Sequence, residues 1–284
     1  DGLEDFIIGG SYGHSASAFF QQTSGNFVEK QISNSSTDKT HEDIEITLFD
    51  ADNDDDLDLY IVSGSNEFVN GSESYQDRLL LNNGAGNLLT TNNLPDIKSS
   101  GSCVAVADFD KDGDKDIFRG GRLIPLEYPK PGQSYLLKNE GGNFIEETPD
   151  FLKNIGMVTD AEWADVDNDS WLDLIVVGEF MPVTILYNKQ GKLQPPITLP
   201  SSKGLWNCLK VKDLNNDGNI DLIAGNIGRN TRYKFTVNEP LRMYGLDLDN
   251  NGRFDAIPSY YLKGVEYPIS TRDDLLRQIP VLRN

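Results

Sequence analysis

The chain has 284 residues, 38% of them apolar, enough for a buried core, and no apolar run reaches the roughly 18 residues that would cross a bilayer. Its formal charge is −20, with 45 acidic against 25 basic residues, which argues against nucleic acid, whose phosphates need clustered Lys and Arg. Roughly half of the acidic residues fall in a few short segments, and charge gathered so tightly asks for a cation.

The chain opens inside a motif, because Asp1-Gly-Leu-Glu-Asp5 is the second half of a pattern that then recurs in full. The full copies are Asp50-Ala-Asp-Asn-Asp-Asp-Asp-Leu-Asp58, Asp108-Phe-Asp-Lys-Asp-Gly-Asp-Lys-Asp116, Asp165-Val-Asp-Asn-Asp-Ser-Trp-Leu-Asp173, Asp213-Leu-Asn-Asn-Asp-Gly-Asn-Ile-Asp221 and Asp247-Leu-Asp-Asn-Asn-Gly-Arg-Phe-Asp255. They begin at residues 50, 108, 165, 213 and 247, which spaces them 58, 57, 48 and 34 residues apart. Ahead of the loops, Ile44, Ile46 and Leu48, Val104 and Val106, and Leu209 and Val211 alternate with other residues in the period of a strand. Behind them run short apolar stretches such as Leu59-Tyr-Ile-Val-Ser-Gly64 and Leu174-Ile-Val-Val-Gly178.

Further along each unit comes a second element: Leu80-Leu-Asn-Asn-Gly, Leu136-Leu-Lys-Asn-Glu-Gly-Gly and Ile185-Leu-Tyr-Asn-Lys-Gln-Gly, with a divergent copy between Phe19 and Phe27. Asn and Gly between apolar runs signal a hairpin, since both tolerate positive φ. A unit therefore reads strand A, acidic loop, strand B, longer loop, strand C, tight turn, strand D. The expected fold is an all-β propeller of four-stranded antiparallel blades, seven when complete, with calcium loops between strands A and B. It occupies 1–284 as a single domain, cut at both ends, with blades starting near 1, 44, 102, 159, 207 and 241. The unit after Asp213 is short and irregular.

A nine-residue loop with carboxylates at positions 1, 3, 5 and 9 can curl around one calcium, which takes six to eight oxygens in irregular geometry. Position 7 adds a backbone carbonyl, and position 6 turns sharply, which suits Gly113, Gly218 and Gly252; Asp55 and Ser170 depart there. The expected ligands are Asp1 and Asp5 in the partial copy, then Asp50, Asp52, Asp54, Asp56 and Asp58, and Asp108, Asp110, Asp112, Asp114 and Asp116. The later loops supply Asp165, Asp167, Asp169, Trp171 and Asp173; Asp213, Asn215, Asp217, Asn219 and Asp221; and Asp247, Asp249, Asn251, Arg253 and Asp255. That makes about five Ca2+, one per full loop, with the loops at Asp213 and Asp247 weaker because Asn215 and Asn251 replace carboxylates. An EF-hand is excluded, because position 12 holds Ile61, Arg119, Val176, Ala224 and Pro258 instead of Glu.

On a propeller, the loops between strands B and C emerge on the face opposite the acidic loops. Here they are long and carry Tyr75, Arg122, Tyr128, Arg229, Arg232 and Tyr233, a candidate ligand face on a rigid scaffold. His14 and His41 form no recognisable catalytic pattern, so a non-enzymatic protein is expected. Trp163 and Trp206 lie in strand A or its approach and are expected in the core, with Trp171 against an ion site. Cys103 and Cys208 stand five residues before Asp108 and Asp213, in blades that are not neighbours, which predicts two buried free thiols.

The loops with their Leu-Ile-Val-x-Gly strands resemble FG-GAP (VCBS) repeats, as in the propeller of integrin α-subunits, where calcium between strands A and B is structural. Segments such as Gly120-Gly-Arg-Leu-Ile-Pro125, Val177-Gly-Glu-Phe-Met-Pro182 and Gly225-Asn-Ile-Gly-Arg-Asn-Thr-Arg-Tyr233 resemble exported bacterial repeat proteins related to cartilage acidic protein, of the ASPIC–UnbV family. The resemblance implies an extracytoplasmic protein, secreted, at the cell surface or associated with the outer membrane. It would not itself be transmembrane, though membrane attachment is compatible with it, and would bind a protein or glycan partner without catalysis. Two alternatives stand beside this: a calcium-dependent polysaccharide lyase or hydrolase on a propeller, and an accessory subunit of an outer-membrane surface assembly.

Overall fold

The computed structural model describes residues 2–32, 38–84, 86–228, 231, 233 and 235–283. Strand covers 41% of the chain and helix 7%, so the fold is all-β, and every strand pairing is antiparallel. Sheet I comprises β1 (Phe6–Ile8), β2 (Ser17–Gln21) and β3 (Phe27–Gln31). Sheet II is a four-stranded meander of β4 (Asp43–Phe49), β5 (Asp58–Ser63), β6 (Arg78–Asn82) and β7 (Leu88–Thr90). Sheet III repeats it with β8 (Cys103–Ala107), β9 (Asp116–Gly120), β10 (Tyr135–Glu140) and β11 (Asn143–Glu146), followed by a short helix α1 (Asp150–Lys153).

Sheet IV contains β12 (Met157–Ala164), β13 (Asp173–Met181), β14 (Thr184–Leu186) and β15 (Ile197–Thr198). Sheet V is the pair β16 (Gly204–Lys212) and β17 (Asp221–Asn226), whose first strand also bonds the far end of β13, Glu179 to Leu205 and Met181 to Gly204. Sheet VI comprises β18 (Arg242–Leu246), β19 (Asp255–Leu262) and β20 (Val265–Pro268), and a helix α2 (Arg272–Gln278) follows it. That helix begins where Thr271 accepts the amide of Asp274 at 3.3 Å, a capping arrangement the strand-based reading of the sequence did not include.

The continuous apolar runs behind the acidic loops make sense once the sheets are stacked. Successive residues of a strand point to opposite faces. On β5, Leu59 and Ile61 pack with Ala16 and Leu80 toward sheet I, while Tyr60 and Val62 pack with Val104, Ile117 and Leu137 of sheet III. On β13, Leu174 and Val176 join Phe118 and Leu136 of sheet III, and Ile175 and Val177 join Leu209 of sheet V. Each middle strand thus feeds two cores, one per face, so its sequence is apolar throughout instead of alternating. Sheets I to V are stacked in chain order, face to face.

The first strands run side by side through this stack. A bulge recurs on them six residues before the acidic loop, at Ile44, Thr159 and Asn207. It breaks the two-residue period, which is why Ile44 is 47% exposed although alternation alone places it inside. Just past the bulge, Glu45 accepts the amide of Val104 at 2.8 Å and Asp160 that of Leu209 at 2.6 Å, so a carboxylate of one sheet holds the first strand of the next. In sheets III and V the same position holds Cys103 and Cys208, paired with Gly120 and Gly225 across the ladder.

Both thiols are free; Cys103 is buried, but Cys208 is exposed, which corrects the expectation of two buried thiols. Cys208 points to the face of sheet V away from sheet IV, the face on which Ile223 is also half exposed. Trp163 stacks on Phe109 with centroids 5.7 Å apart and packs against the core between sheets III and IV, and Trp206 packs between sheets IV and V.

Candidate metal centres

Each acidic loop links the first two strands of its sheet, and its coil is set by two left-handed residues. Position 6 has positive φ in all five full copies, including Asp55 at 68° and Ser170 at 71°. Position 4 is left-handed as well, at Asn53, Lys111, Asn168, Asn216 and Asn250. Asn fills four of those five positions because its short polar side chain tolerates that region. This signal was present in the sequence and points to the same coil as the glycines do.

The coil bonds itself together through its acceptors. In the loops at Asp50, Asp165, Asp213 and Asp247, the position-1 carboxylate accepts the amides of positions 5 and 6, as in Asp165 with Asp169 at 3.0 Å and Ser170 at 2.8 Å. The side-chain oxygen at position 5 accepts the amide of position 7 in all five copies, from Asp56 on Asp54, Asp114 on Asp112, Trp171 on Asp169, Asn219 on Asp217 and Arg253 on Asn251. Carboxylates at positions 1, 3 and 9 converge: Asp50, Asp52 and Asp58; Asp108, Asp110 and Asp116; Asp165, Asp167 and Asp173; and Asp247, Asp249 and Asp255 each bring ligand atoms within 4.8 Å of one another. Asp54, Asp112 and Asp169 at position 5 are not members of these triads. In the loop at Asp213, Asn215 replaces the middle carboxylate and turns its amide onto Asp217.

Asp at position 9 has a second role that the motif alone does not reveal. Asp58, Asp116 and Asp173 are fully buried, and each accepts the amide of position 2 with one oxygen and, with the other, the amide of an Asn in the third strand or in the turn just after it. These second donors are Asn82 and Asn139, in the third strands β6 and β10, and Asn188, in the tight turn after β14. Asp5 of the partial copy does the same to Gln21, which fixes the register of the divergent hairpin. Asp255 keeps the position-2 bond, accepting the amide of Leu248 at 3.0 Å, and takes the Gln278 side chain of α2 at 3.2 Å in place of the strand amide. Asp221 accepts the amide of Leu214 at 3.0 Å.

Burial costs these charges. It raises Asp58 and Asp173 above the usual carboxylate range, against the pull of the amides they accept, and it raises Asp116 to about 7. Burial also raises Asp52, with the carboxylates of Asp54, Asp58 and Asp50 adding to the effect. Two loop oxygens, Asp52 Oδ1 and Asp108 Oδ1, are buried without a hydrogen-bond partner. A buried carboxylate oxygen beside two other carboxylates is an acceptor set that suits a hard divalent cation. The residues present fit such an ion.

The loops also interlock between sheets. Asn139 Nδ2 donates to Ala51 of the preceding loop at 2.8 Å, and Asn188 Nδ2 to Phe109 of the preceding loop at 2.7 Å. Gly142 and Gly191 let the tight turns press on those loops, since a Cβ on either would stand 2.9 Å from the Cβ of Asp52 or Asp110. Asp114 is a latch: it accepts Asn53 of the neighbouring loop at 2.5 Å and the Gly141 amide at 2.8 Å. Trp171 lies under the Lys111 amine, 4.3 Å from the ring centroid. Two lysines reach into the loops: Lys138 contacts Asp110 and stands 3.2 Å from Asp112, and Lys189 is 2.8 Å from both Asp167 and Asp169.

The long loops on the other side hold fewer free side chains than the sequence suggests. Tyr75 is fully buried, its hydroxyl donating to the carbonyl of Phe68 at 2.8 Å, so it is a packing residue and not part of a ligand face. Arg122 and Tyr128 both bind Glu179, at 2.5 and 3.0 Å, tying the third sheet's loop to β13. Tyr233 packs on Tyr260, with centroids 5.1 Å apart. Asp1, Arg229 and Arg232 lie outside the described residues. Between the loops of sheets II and III is a polar cleft of about 450 Å³ whose walls include Asn70, Lys98, Gln133, Tyr135 and Asn154.

Two stretches, residues 63–118 and 165–224, match the family model of the FG-GAP-like repeat. The first match includes the whole acidic loop from Asp108, and the second includes the loops from Asp165 and Asp213, each with flanking strand. No curated protein matches the chain. Among the described residues no helix is long and apolar enough to cross a membrane.

Proposed function

We propose that this chain is a calcium-stabilised β-propeller sector that works outside the cytoplasm as a non-enzymatic binding or scaffold module. The observation that carries the reading is the repeated triad of carboxylates at positions 1, 3 and 9, placed where one sheet locks onto the next. Calcium suits it better than magnesium, because these ligands spread along a flexible coil and do not impose a tight octahedron. Millimolar calcium outside cells keeps weak loops filled. The propeller reading is supported by sheets stacked in chain order with their first strands adjacent. The partner, a protein or glycan, meets the face opposite the acidic loops, where the cleft presents the Gln133 carboxamide beside Lys98, whose amine pairs with Glu73 at 2.7 Å and Asp96 at 3.1 Å, a polar lining suited to hydroxyls.

Calorimetry on metal-stripped protein tests the ion: uptake of several calcium ions per chain is expected, and none would overturn the reading. For the face, calcium-loaded protein is screened against immobilised acidic and neutral glycans. A hit should weaken in a Lys98→Ala, Gln133→Ala double variant that still takes up calcium. Binding that survives those changes moves the partner elsewhere.

A further inference from the structure

We infer that Lys138 and Lys189 are built-in competitors that set calcium affinity in the loops beginning at Asp108 and Asp165. The inference rests on the calcium reading above. Each amine lies on the position-3 and position-5 carboxylates of its loop, Lys138 on Asp110 and Asp112, Lys189 on Asp167 and Asp169. The two lysines come from different places in the chain. Lys138 is on β10, one residue before Asn139, whereas Lys189 follows Asn188 in the tight turn. Two unrelated positions delivering an amine to the same pair of carboxylates is more than a surface charge finding a neighbour.

An ion entering either loop must displace that amine from position 3 or accept a second positive charge beside it. Either outcome weakens binding, because like charges a few ångströms apart repel in a partly buried site. Among the described residues no Lys or Arg forms an ion pair with the carboxylates of the loop at Asp50. On ligand count alone the loops at Asp50 and Asp108 rank together; the lysines separate them, and the loop at Asp50 fills first. The same amines neutralise part of each loop before calcium arrives, so they hold the coil folded at low calcium.

The loop at Asp165 carries its own reporter, since Trp171 sits at position 7 and sensitises terbium bound there; a Trp171→Phe variant assigns that signal. In the metal-stripped 284-residue chain, Lys189→Met should bind terbium and calcium at this loop roughly two- to fivefold more tightly, the scale set by partly exposed ion pairs. Lys189→Arg should stay near the wild-type affinity. Lys138→Met should tighten one calorimetric site by a similar factor. Both Met variants should melt lower than wild type in chelator and no lower in saturating calcium, a pattern that lost packing alone does not give. Unchanged or weaker affinity in a folded Met variant overturns the inference while leaving the calcium reading intact. Absence of any terbium or calcium uptake by the wild type overturns both.

Discussion

Arg119 is fully buried in β9, and it is tolerated because Asp77 meets it at 2.5 and 3.2 Å while Ser99 and Ser63 accept its remaining protons. Tyr60, also fully buried, donates to the same carboxylate at 2.6 Å. Removing Asp77 strands a cation and a hydroxyl in a dry core. Asp77→Ala should therefore cost about 3–5 kcal/mol in urea unfolding, whereas the double change Asp77→Ala, Arg119→Met should cost less than its two singles combined. Glu45 offers a pH test at the same scale. Burial raises its carboxyl above the ordinary value of 4.5, opposed by the Val104 amide, with Asp160 reinforcing the rise. The folded state then holds that proton more tightly than the unfolded chain, so Glu45 favours folding in acid and loses that contribution as pH climbs through its raised value. Glu45→Gln keeps an oxygen for the Val104 amide and cannot ionise. Its melting temperature relative to wild type should rise between pH 5 and pH 8, and a difference that stays flat would refute the account.

At the scale of the element, the tight turn does more than reverse the chain. Its Asn holds the loop of the sheet before it, and its Gly gives that loop room. Asn188 Nδ2 donates to the carbonyls of Phe109 and Leu172, at 2.7 and 3.0 Å. Asn188→Ala leaves both without that donor, and a loss of about 1–3 kcal/mol is expected from the melting curve. Gly191→Ala should also destabilise, since its φ of 78° is left-handed and an added methyl would meet Asp110. Much of the unit was legible in the sequence: acidic loop, apolar strand and Asn-Gly hairpin follow from period and turn chemistry. What was illegible is relational. Nothing in Tyr-Asn-Lys-Gln-Gly says that Asn188 reaches a loop 79 residues earlier, or that Lys189 folds back onto Asp167. The carboxylates at positions 3 and 9 were readable as a motif, yet the clasp of Asp173 on Val166 and Asn188 needed the sheet register. The burial of Tyr75 was hidden as well, because its loop closes over it through Phe68.

At the scale of the whole molecule, these clasps join the loops and turns of sheets II to IV into a seam. The loop of sheet II bonds the turn of sheet III, and the loop of sheet III bonds the turn of sheet IV. A disturbance in one loop should therefore be felt in the next sheet. If calcium is the central counter-charge, as proposed above, chelation leaves three carboxylates within 4.8 Å of one another in each of four loops, on a chain of charge −20. The melting temperature should drop markedly in chelator, return with calcium, and return only in part with sodium chloride, which screens exposed repulsion but cannot ligate buried oxygens. Asp108→Ala should lower the calcium stoichiometry by one. Hydrogen exchange in that variant should quicken at the turn around Asn188 in sheet IV as well as in its own loop. Faster exchange confined to residues 108–116 would mean that the sheets bear their metals independently and that the seam carries no cooperativity.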